Sequence, residues 1–365
     1  MRALARVNVA AIERNVARLR GDLKGADLCA VVKADGYGHG AAPAARAALA
    51  GGATWLAVAT AEEAAALRTA GIHARLLVLG ALAPGELDAA LGADADVIGW
   101  REDFVAAVAA RGGGRVHVKL DTGMGRLGTR DLAEATRVAE AAAAADTVAL
   151  AGALTHFATA DEPGDAFFGE QLARFEAWAL PLRERHPGIV LHAANSAAVL
   201  RDAASHFDLV RAGIAIYGLD PFQEDAAARD LEPALELVSY VAATKPCAAG
   251  ESTGYGRRFV ADDDTIVATV PIGYGDGVRR ALTNNADVLV GGRRFPVVGT
   301  VSMDNITLDL GSDGGGVQEG DEVVLIGPGV PAEEMARRLG TINYEITCGL
   351  TARVARAYHR DGEPL

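Results

Sequence analysis

Aromatic side chains are scarce in this sequence: Phe, Trp and Tyr together make up 5% of its 365 residues, although 50% of all residues are hydrophobic. The core must therefore be built mainly from Ala, Val, Leu and Ile. A chain of this length can bury a large core. We expect one large α/β domain and a smaller second domain.

Basic residues are also fewer than acidic residues. The sequence holds 35 Lys and Arg residues against 48 Asp and Glu residues, which gives a net charge of −13. This balance argues against nucleic acid or an anionic membrane surface as the main partner. A local basic pocket that holds a phosphate group remains compatible with it.

Cysteine is rare, and long apolar runs are missing. Cys29, Cys247 and Cys348 are odd in number and show no C-x-x-C spacing, so we expect reduced thiols and no metal site. No run approaches the ~18 apolar residues that a membrane span needs. The amino terminus has no apolar centre typical of a signal peptide, and Ile12 and Val16 instead recur at helical spacing. We therefore predict a soluble, cytoplasmic protein.

Short β-rich runs alternate with Ala-rich helical stretches up to about residue 220. Eight strands are predicted, at residues 28–34, 54–60, 75–80, 96–100, 116–122, 149–158, 190–196 and 208–218. Helix formers fill most of the gaps, for example at 61–71 and 131–145. This alternation predicts parallel βαβ units, which form an α/β fold. Eight such units that close on themselves form a (β/α)8 barrel of ~250 residues; an open, doubly wound sheet has the same local pattern and is the alternative.

Near Pro233 short strands and turns replace the helical pattern. Further β-rich runs cover 237–245, 265–273, 287–299 and 322–327. Gly291-Gly292 predicts a tight hairpin turn, and one helix is predicted over 331–340. We predict a barrel domain over 8–232 and a mostly β domain over 233–365, which residues 1–7 join as a strand.

The segment AVVKADGYGHG (30–40) is the most informative part of the sequence. An apolar strand ends at Lys33, and barrels place their active sites at the carboxyl ends of their strands. For Lys33 alone, a solvated strand end is the simpler interpretation. A desolvated lysine, however, can act as a nucleophile and form a Schiff base. Gly36 and Gly38 would let the backbone turn sharply, so that Tyr37 either reaches a phosphate group or packs as an ordinary half-buried aromatic residue.

This segment resembles the pyridoxal-phosphate signature of the alanine racemase family, and later blocks are similar to that family's blocks in the same order. They are HVKLDTGMGRLG (117–128), THFATAD (155–161), HAANS (192–196), VRAGIAIYG (210–218), STGYGRR (252–258), IGYGDG (272–277), TVSMDN (300–305) and INYEITC (342–348). One block would be weak evidence, whereas an ordered series across both domains is highly specific. The family's fold, a TIM-like barrel followed by a mostly β domain, agrees with the periodicity.

The resemblance implies an isomerase that uses pyridoxal 5'-phosphate to interconvert L-alanine and D-alanine, and that supplies D-alanine for peptidoglycan. Lys33 would hold the cofactor and act as one acid/base, and Tyr255 would be the second base on the opposite face. Racemisation needs both faces because a proton leaves one and returns to the other. The reference pKa values, about 10.4 for Lys and about 10 for Tyr, must both fall for this role. Arg126 and Arg211 are candidates for the positive charge beside Tyr255.

Further residues match the family's cofactor site. Arg211 would face the pyridine nitrogen and, because a guanidinium keeps its protons, leave that nitrogen unprotonated. The weaker electron withdrawal that results should suppress transamination. His156 would support Tyr255 and the arginine, or else is a satisfied core histidine. The phosphate would be held by Tyr37, Ser196, Gly213, Ile214 and Tyr344, with Asn195 alongside. Asn195-Ser196 also fits a helix N-cap, and the family's usual Pro after the arginine is Ala212 here.

The resemblance also implies a substrate site and a dimer. Arg126, Met303 and Tyr274 would surround the substrate, with the Met303 N–H as a donor. Lys119 matches a family lysine that can be carbamylated, or else is an unmodified lysine paired with an acid. Active sites would be completed across a homodimer, so that Tyr255, Tyr274, Met303 and Asp304 would serve the other subunit's site.

Three alternatives stay open. A decarboxylase of the same architecture shares the lysine and phosphate site but needs no Tyr255 opposite Lys33. A non-catalytic pyridoxal-phosphate carrier is a single barrel, so the residues after Pro233 argue against it. A racemase of wider specificity would accept serine or larger amino acids, whereas the bulky Tyr274 and Tyr344 favour a small side chain.

Overall fold

A computed structural model describes residues 2–365 of the chain. It divides into two compact units, one over Ile12–Ile216 and the other formed by the residues up to Ala11 together with Tyr217–Leu365. The domain bounds at 232 and 233 stay a prediction.

The first unit is a parallel barrel. After β1 (Leu4–Asn8), which belongs to the second unit, its strands are β2 (Asp27–Val31), β3 (Trp55–Val58), β4 (Arg75–Val78), β5 (Ala95–Gly99), β6 (Gly114–Lys119), β7 (Val148–Leu154), β8 (Val190–His192) and β9 (Leu209–Ala212). The eight pair in the order β8-β7-β6-β5-β4-β3-β2-β9. Between β8 and β9 the ring is nearly closed, because Asp208 N–H donates to Leu191 and Arg211 N–H to Ala194. The predicted barrel is confirmed, and the open doubly wound sheet is wrong.

Helices separate most of these strands, as a parallel arrangement requires. They are α1 (Val9–Gly21), α2 (Ala41–Ala50), α3 (Ala61–Thr69), α4 (Pro84–Gly92), α5 (Glu102–Ala109), α6 (Leu132–Ala144), α7 (Phe167–Arg185) and α8 (Ser196–Arg201). Local sequence determines where several of these helices begin. Thr60 and Glu63 form a capping box at the start of α3, and the Asp131 carboxylate accepts hydrogen bonds from two backbone amides at the start of α6. Because all the barrel strands run in one direction, their carboxyl ends lie at one end of the barrel.

The second unit is built around a ten-stranded sheet with a two-stranded ribbon beside it. Its remaining strands are β10 (Leu235–Tyr240), β11 (Ala243–Cys247), β12 (Ser252–Thr253), β13 (Phe259–Val260), β14 (Thr265–Val270), β15 (Asp287–Val290), β16 (Arg293–Val298), β17 (Ile306–Asp309), β18 (Glu322–Ile326), β19 (Ala355–Arg360) and β20 (Glu363–Pro364). Its helices are α9 (Ala332–Leu339) and α10 (Asn343–Cys348). The mostly β character predicted for this part is confirmed.

Two local predictions for this unit are confirmed. The β1 strand pairs antiparallel with β10 and parallel with β19, so the amino-terminal segment does join this sheet. Gly291 and Gly292 form the β15–β16 hairpin turn with φ values of 57° and 79°, which only glycine adopts readily. One predicted strand, 237–245, is instead two strands, because the chain turns between Tyr240 and Ala243.

Among residues 2–365, no helix has both the length and the apolar character needed to cross a bilayer. Cys29 and Cys247 are buried thiols, and Cys348 is exposed.

Candidate active site

Polar side chains gather at the carboxyl ends of the barrel strands. Lys33 follows β2, Lys119 ends β6, His156 follows β7, and Arg211 lies on β9. Lys33 and His156 are half-buried, whereas Lys119 and Arg211 are almost fully buried. The sequence allowed two interpretations of Lys33, a solvated strand end or a residue of the active site. In the structure, Lys33 lies among other positively charged side chains.

The segment after Lys33 is a left-handed turn. Ala34, Asp35, Gly36 and Tyr37 all have φ between 51° and 62°. For residues other than glycine, this conformation costs roughly 1–2 kcal/mol each. Hydrogen bonds hold the turn: Ala34 N–H donates to Glu63, and the Asp35 carboxylate accepts from Ala41 N–H at the start of α2. Strain of this kind is typical of functional sites.

The left-handed turn places Tyr37 against the end of β9. Tyr37 is 8% exposed. A Cβ on Gly213 would lie 2.4 Å from the Tyr37 hydroxyl oxygen, so only glycine leaves room for it. The Ser196 hydroxyl accepts hydrogen bonds from Gly213 N–H at 2.9 Å and Ala215 N–H at 3.3 Å. The backbone N–H of Ile214 donates to no residue in the part of the chain described. The hydroxyls of Tyr37 and Ser196 and the N–H of Ile214 therefore form a small cradle of hydrogen-bond donors beside Gly213, whose own N–H is taken up by Ser196.

Asn195 caps the helix that begins at Ser196. Its side-chain oxygen accepts from Ala198 N–H at 3.0 Å. The predicted N-cap is confirmed, and it fixes the backbone that carries Ser196 into the cradle.

Arg211 is held inside the barrel by neutral acceptors. Its NH1 group donates to Nδ1 and to the carbonyl oxygen of His192, both at 2.9 Å. Its NH2 group lies within hydrogen-bond distance of Thr155 O, Ala193 O and Nδ1 of His156. Its Nε–H is the one guanidinium donor that meets no acceptor among residues 2–365. This donor is left for a group from outside the chain.

Positive charge accumulates around His156 and Lys119. Burial lowers the pKa of His156 well below its ordinary value, and Arg211, Lys119, Arg126 and Lys33 lower it further. Burial also lowers the pKa of Lys119 to about 8, with Arg211 and Arg126 contributing. Among residues 2–365, no acidic side chain forms an ion pair with Lys119. The expected lysine paired with an acid is therefore not found. The site is therefore strongly electropositive and suits an anion.

Arg126 lies on the loop after β6 and is exposed. The Asp121 carboxylate shapes this loop, accepting from the backbone amides of Gly123 and Gly125, each at 3.0 Å, and from Arg130 Nε. Arg126 therefore stands on an ordered loop with its guanidinium accessible to a ligand.

Tyr255, Tyr274, Met303 and Tyr344, the remaining predicted site residues, belong to the second unit. Three are unusually exposed for their type: Tyr255 at 74%, Met303 at 51% and Tyr274 at 42%. One segment ties them together, because Thr300 Oγ1 donates to the Tyr255 carbonyl and Tyr274 N–H donates to Ser302 O. Tyr344 is half-buried on α10. The Met303 N–H donates to no described residue, as expected of a ligand donor.

Sequence reasoning missed the group that fixes this segment. The carboxylate of Asp276, fully buried, accepts from Gly273 N–H at 2.9 Å and pairs with Arg2 and with Arg353 Nε. Arg353 also pairs with Asp304 at 2.7 Å. The signal was present in the sequence as an acid inside the GYGDG block, but its two arginine partners lie at opposite ends of the chain.

Comparisons with known proteins indicate one family over nearly the whole chain. Family models match the alanine racemase N-terminal domain over residues 7–221 and the alanine racemase C-terminal domain over residues 234–358. The alanine racemase of Frankia casuarinae is 45% identical, covering 98% of this chain and 96% of that protein. The alanine racemase structure from Streptomyces coelicolor superposes with a TM-score of 0.92 at 39% identity, covering 98% of each chain. The alanine racemase structure from Streptomyces lavendulae gives a TM-score of 0.91 at 39% identity, over 98% of this chain and 97% of that one. This chain therefore belongs to the alanine racemase family and is an amino-acid isomerase.

Proposed function

We propose that this protein interconverts L-alanine and D-alanine with pyridoxal 5'-phosphate, using Lys33 and Tyr255 as two bases. The observation that carries the proposal is the unused Nε–H of the buried Arg211, which lies at the strand ends together with Lys33. A donor in this position fits an acceptor without a proton of its own, such as a pyridine nitrogen.

The residues present fit this cofactor at three points. The cradle beside Gly213 would supply neutral donors to a phosphate from the hydroxyls of Tyr37 and Ser196 and the N–H of Ile214, and such donors stabilise an anion without a lysine cluster. Lys33 would hold the cofactor covalently through its amine. When bound, the cofactor withdraws electrons from the substrate's α-carbon and so makes the α-proton removable.

Arg211 would set how strong that withdrawal is. A guanidinium donates hydrogen bonds and does not give up its proton in a protein, so a pyridine nitrogen that accepts from Arg211 would stay unprotonated. The weaker withdrawal would favour return of the proton to the α-carbon over side reactions. His156 accepts from Arg211 through Nδ1, so its own proton lies on Nε2 and can be donated to a neighbouring base.

The two bases divide the proton transfer between them. Lys33 would take or return the proton on one face of the substrate, and Tyr255 on the other. Tyr255 is exposed on its own chain, as a residue would be that enters the site of a partner. We therefore include in the proposal a homodimer in which Tyr255, Tyr274 and Met303 complete the other subunit's site.

The substrate carboxylate would be bound by Arg126 and by the free N–H of Met303, because charge-assisted hydrogen bonds favour a carboxylate. Tyr274 and Tyr344 would limit the side chain to the size of a methyl group. Lys119 is a candidate for carbamylation: its neutral amine would attack carbon dioxide, form an N–C bond and release one proton. The carbamate formed in this way is negatively charged and would offset the positive charges that lower the pKa of the unmodified Lys119.

The D-alanine produced would serve peptidoglycan synthesis in the cytoplasm. This part of the proposal rests on family membership.

The proposal is tested by incubating the reconstituted holoenzyme with L-alanine in deuterated water. We expect loss of optical rotation together with incorporation of one deuterium at the α-carbon. Release of carbon dioxide without racemisation would instead assign a decarboxylase. Serine and larger amino acids in the same assay would measure specificity. Borohydride reduction of the holoenzyme should label Lys33, and a label on another lysine would refute its role.

A further inference from the structure

A line of hydrogen bonds crosses the barrel interior from its amino-terminal end to Arg211. The Asp96 carboxylate lies 2.9 Å from Nε2 of His117, and Nδ1 of His117 lies 2.8 Å from Nε2 of His192. Nδ1 of His192 then meets NH1 of Arg211 at 2.9 Å. Asp96, His117 and His192 are all 0% exposed. None of these three residues has a role in the proposed proton transfer.

The chemistry of its two ends fixes the direction of every bond in this line. A guanidinium only donates, so Nδ1 of His192 must accept and the proton of His192 lies on Nε2. That proton is donated to Nδ1 of His117, which leaves the His117 proton on Nε2. The carboxylate of Asp96 accepts it. Every hydrogen bond along the line then has one donor and one acceptor, with both histidines neutral.

Burial keeps the histidines in this neutral form. Desolvation lowers the pKa of His117 below its ordinary value, although Asp96 opposes the shift. The pKa of His192 is lowered well below its ordinary value, first by burial and then by the charge of Arg211. Neutral histidines of fixed tautomer transmit orientation along the line without adding charge to it.

Asp96 is fixed in turn at the barrel's amino-terminal end. Arg75 donates to it through Nε and NH2 at 3.1 and 2.8 Å, and Arg115 Nε also donates to it. The Arg75 guanidinium stacks on Trp55, 3.8 Å from the ring centroid. Burial alone would raise the pKa of Asp96, but the hydrogen bond from His117, followed by those from Arg115 and Arg75, lowers it to about 2, so Asp96 stays a carboxylate.

Arg211 itself has no carboxylate partner among residues 2–365, although it is 4% exposed. Burial lowers its pKa to about 10. A buried cation without a direct counter-charge depends on the acceptors that surround it for both position and charge.

We propose that Asp96 is a positioning residue for Arg211, acting through His117 and His192 to aim the Arg211 Nε–H at the site. The inference rests on the proposed function, in which that donor meets the pyridine nitrogen. Without the carboxylate, His117 and His192 lose the fixed acceptor that sets their tautomers. NH1 of Arg211 then keeps the carbonyl oxygen of His192 but loses Nδ1 of that residue as a defined acceptor, so the direction of the Nε–H is less firmly fixed.

The first experiment measures tautomers in the wild-type holoenzyme. Nitrogen-15 NMR of protein labelled at histidine should show His117 and His192 neutral with protons on Nε2, each assigned by its Gln variant. This measurement requires no variant of Asp96, and its outcome does not depend on whether the protein racemises alanine. A cationic His117 or His192 at neutral pH, or a proton on Nδ1 of either, would overturn the proposal.

The second experiment compares Asp96→Asn with Asp94→Asn, which removes an exposed carboxylate that also pairs with Arg115, at 2.7 Å, but lies outside the line. The readouts are the absorbance band of the bound cofactor and the ratio of pyruvate formed to alanine racemised. For Asp96→Asn we expect a shifted band and a pyruvate ratio raised by about tenfold, and for Asp94→Asn neither change. Coupled groups are non-additive, so Asp96→Asn should change neither readout further in an Arg211→Lys background.

Two outcomes would count against this inference alone: equal readouts for the two single variants in an enzyme that racemises alanine, or full additivity with Arg211→Lys. A wild-type protein without racemase activity would instead remove the proposed function. If Asp96→Asn does not fold, His117→Gln interrupts the same line and is put through the same comparison.

Discussion

The hydroxyl oxygen of Tyr37 occupies the space that any side chain at residue 213 would need. A Cβ there would lie 2.4 Å from the oxygen and 3.0 Å from the ring carbon that bears it. Since Gly213 has no positive φ, alanine is acceptable to the backbone and the conflict is purely steric. The two residues form one wall of the donor cradle.

Gly213→Ala is therefore expected to displace Tyr37 and weaken pyridoxal phosphate binding by about tenfold, or about 1.4 kcal/mol. Fluorescence titration of the apoenzyme with the cofactor measures this. Gly188→Ala is the matched control, because no atom lies within 4 Å of the Cβ it would add. Unchanged affinity in Gly213→Ala would show that the cradle does not bind the phosphate.

Tyr255→Phe should abolish proton transfer on one face of the substrate only. The exposed phenol is lost while the barrel residues stay intact, so cofactor absorbance should be retained. Exchange of the α-proton in deuterated water, followed separately from L-alanine and D-alanine, checks this. We expect a loss of about 10²- to 10⁴-fold from one enantiomer, as for removal of a general base. Tyr240→Phe, at another exposed tyrosine of the same unit, is the control. Equal rates from both enantiomers would remove Tyr255 as a base.

Lys119→Met should make the protein more stable at neutral pH and less active. The pKa of Lys119 is lowered from 10.5 to about 8 in the folded state, so the unfolded chain binds its proton more tightly. Below pH 8 that difference costs about 3 kcal/mol of stability, and the cost fades as pH rises towards 10.5.

Urea denaturation in buffer free of carbon dioxide measures the effect, at pH 7 and again near pH 10. We expect Lys119→Met to be stabilised at pH 7 by about 1–3 kcal/mol and less so at the higher pH. The exposed Lys24→Met serves as a control with no expected change. A variant less stable than the parent at pH 7 would contradict the account of Lys119 as an unpaired buried cation.

Ala34→Gly should raise the free energy of unfolding, although glycine usually lowers it. Ala34 has φ 51° in the left-handed turn, where glycine avoids a penalty of roughly 1 kcal/mol. Ala66→Gly, inside α3, should destabilise by about 0.5–1 kcal/mol instead. Chemical denaturation of the two variants measures whether each substitution raises or lowers the free energy of unfolding. Destabilisation by both would mean that the turn is not strained at Ala34.

The barrel could be predicted from sequence because its information is local. Each β-rich run and each Ala-rich stretch carries its own periodicity, and eight repeats of that pattern close into a ring. Strand ends were less predictable. Thr155 and Phe157 favour strands, yet β7 stops at Leu154, and His156 lies beyond the strand end, at the site.

A sharp turn after Lys33 was expected from its glycines, but its left-handed conformation could not be predicted, since three of its four residues are not glycine and favour other conformations on their own. Tertiary contacts such as that between Ala34 and Glu63 impose it. The Asp96–His117–His192 line did leave a trace, as isolated polar residues in otherwise apolar parallel strands. Sequence alone could not show that these strands direct the three side chains to one another.

The position of β1 has a consequence for how the chain is made. This strand, Leu4–Asn8, lies between β10 and β19 in its sheet, so it emerges from the ribosome long before either neighbour. The barrel can complete its own ring first, because domains generally fold as units during synthesis. The opening strand must wait until Ala355–Arg360 is available. A chain released before Ala355–Arg360 is made therefore leaves β1 without this neighbour, and the unpaired strand edge is the kind of surface that promotes aggregation.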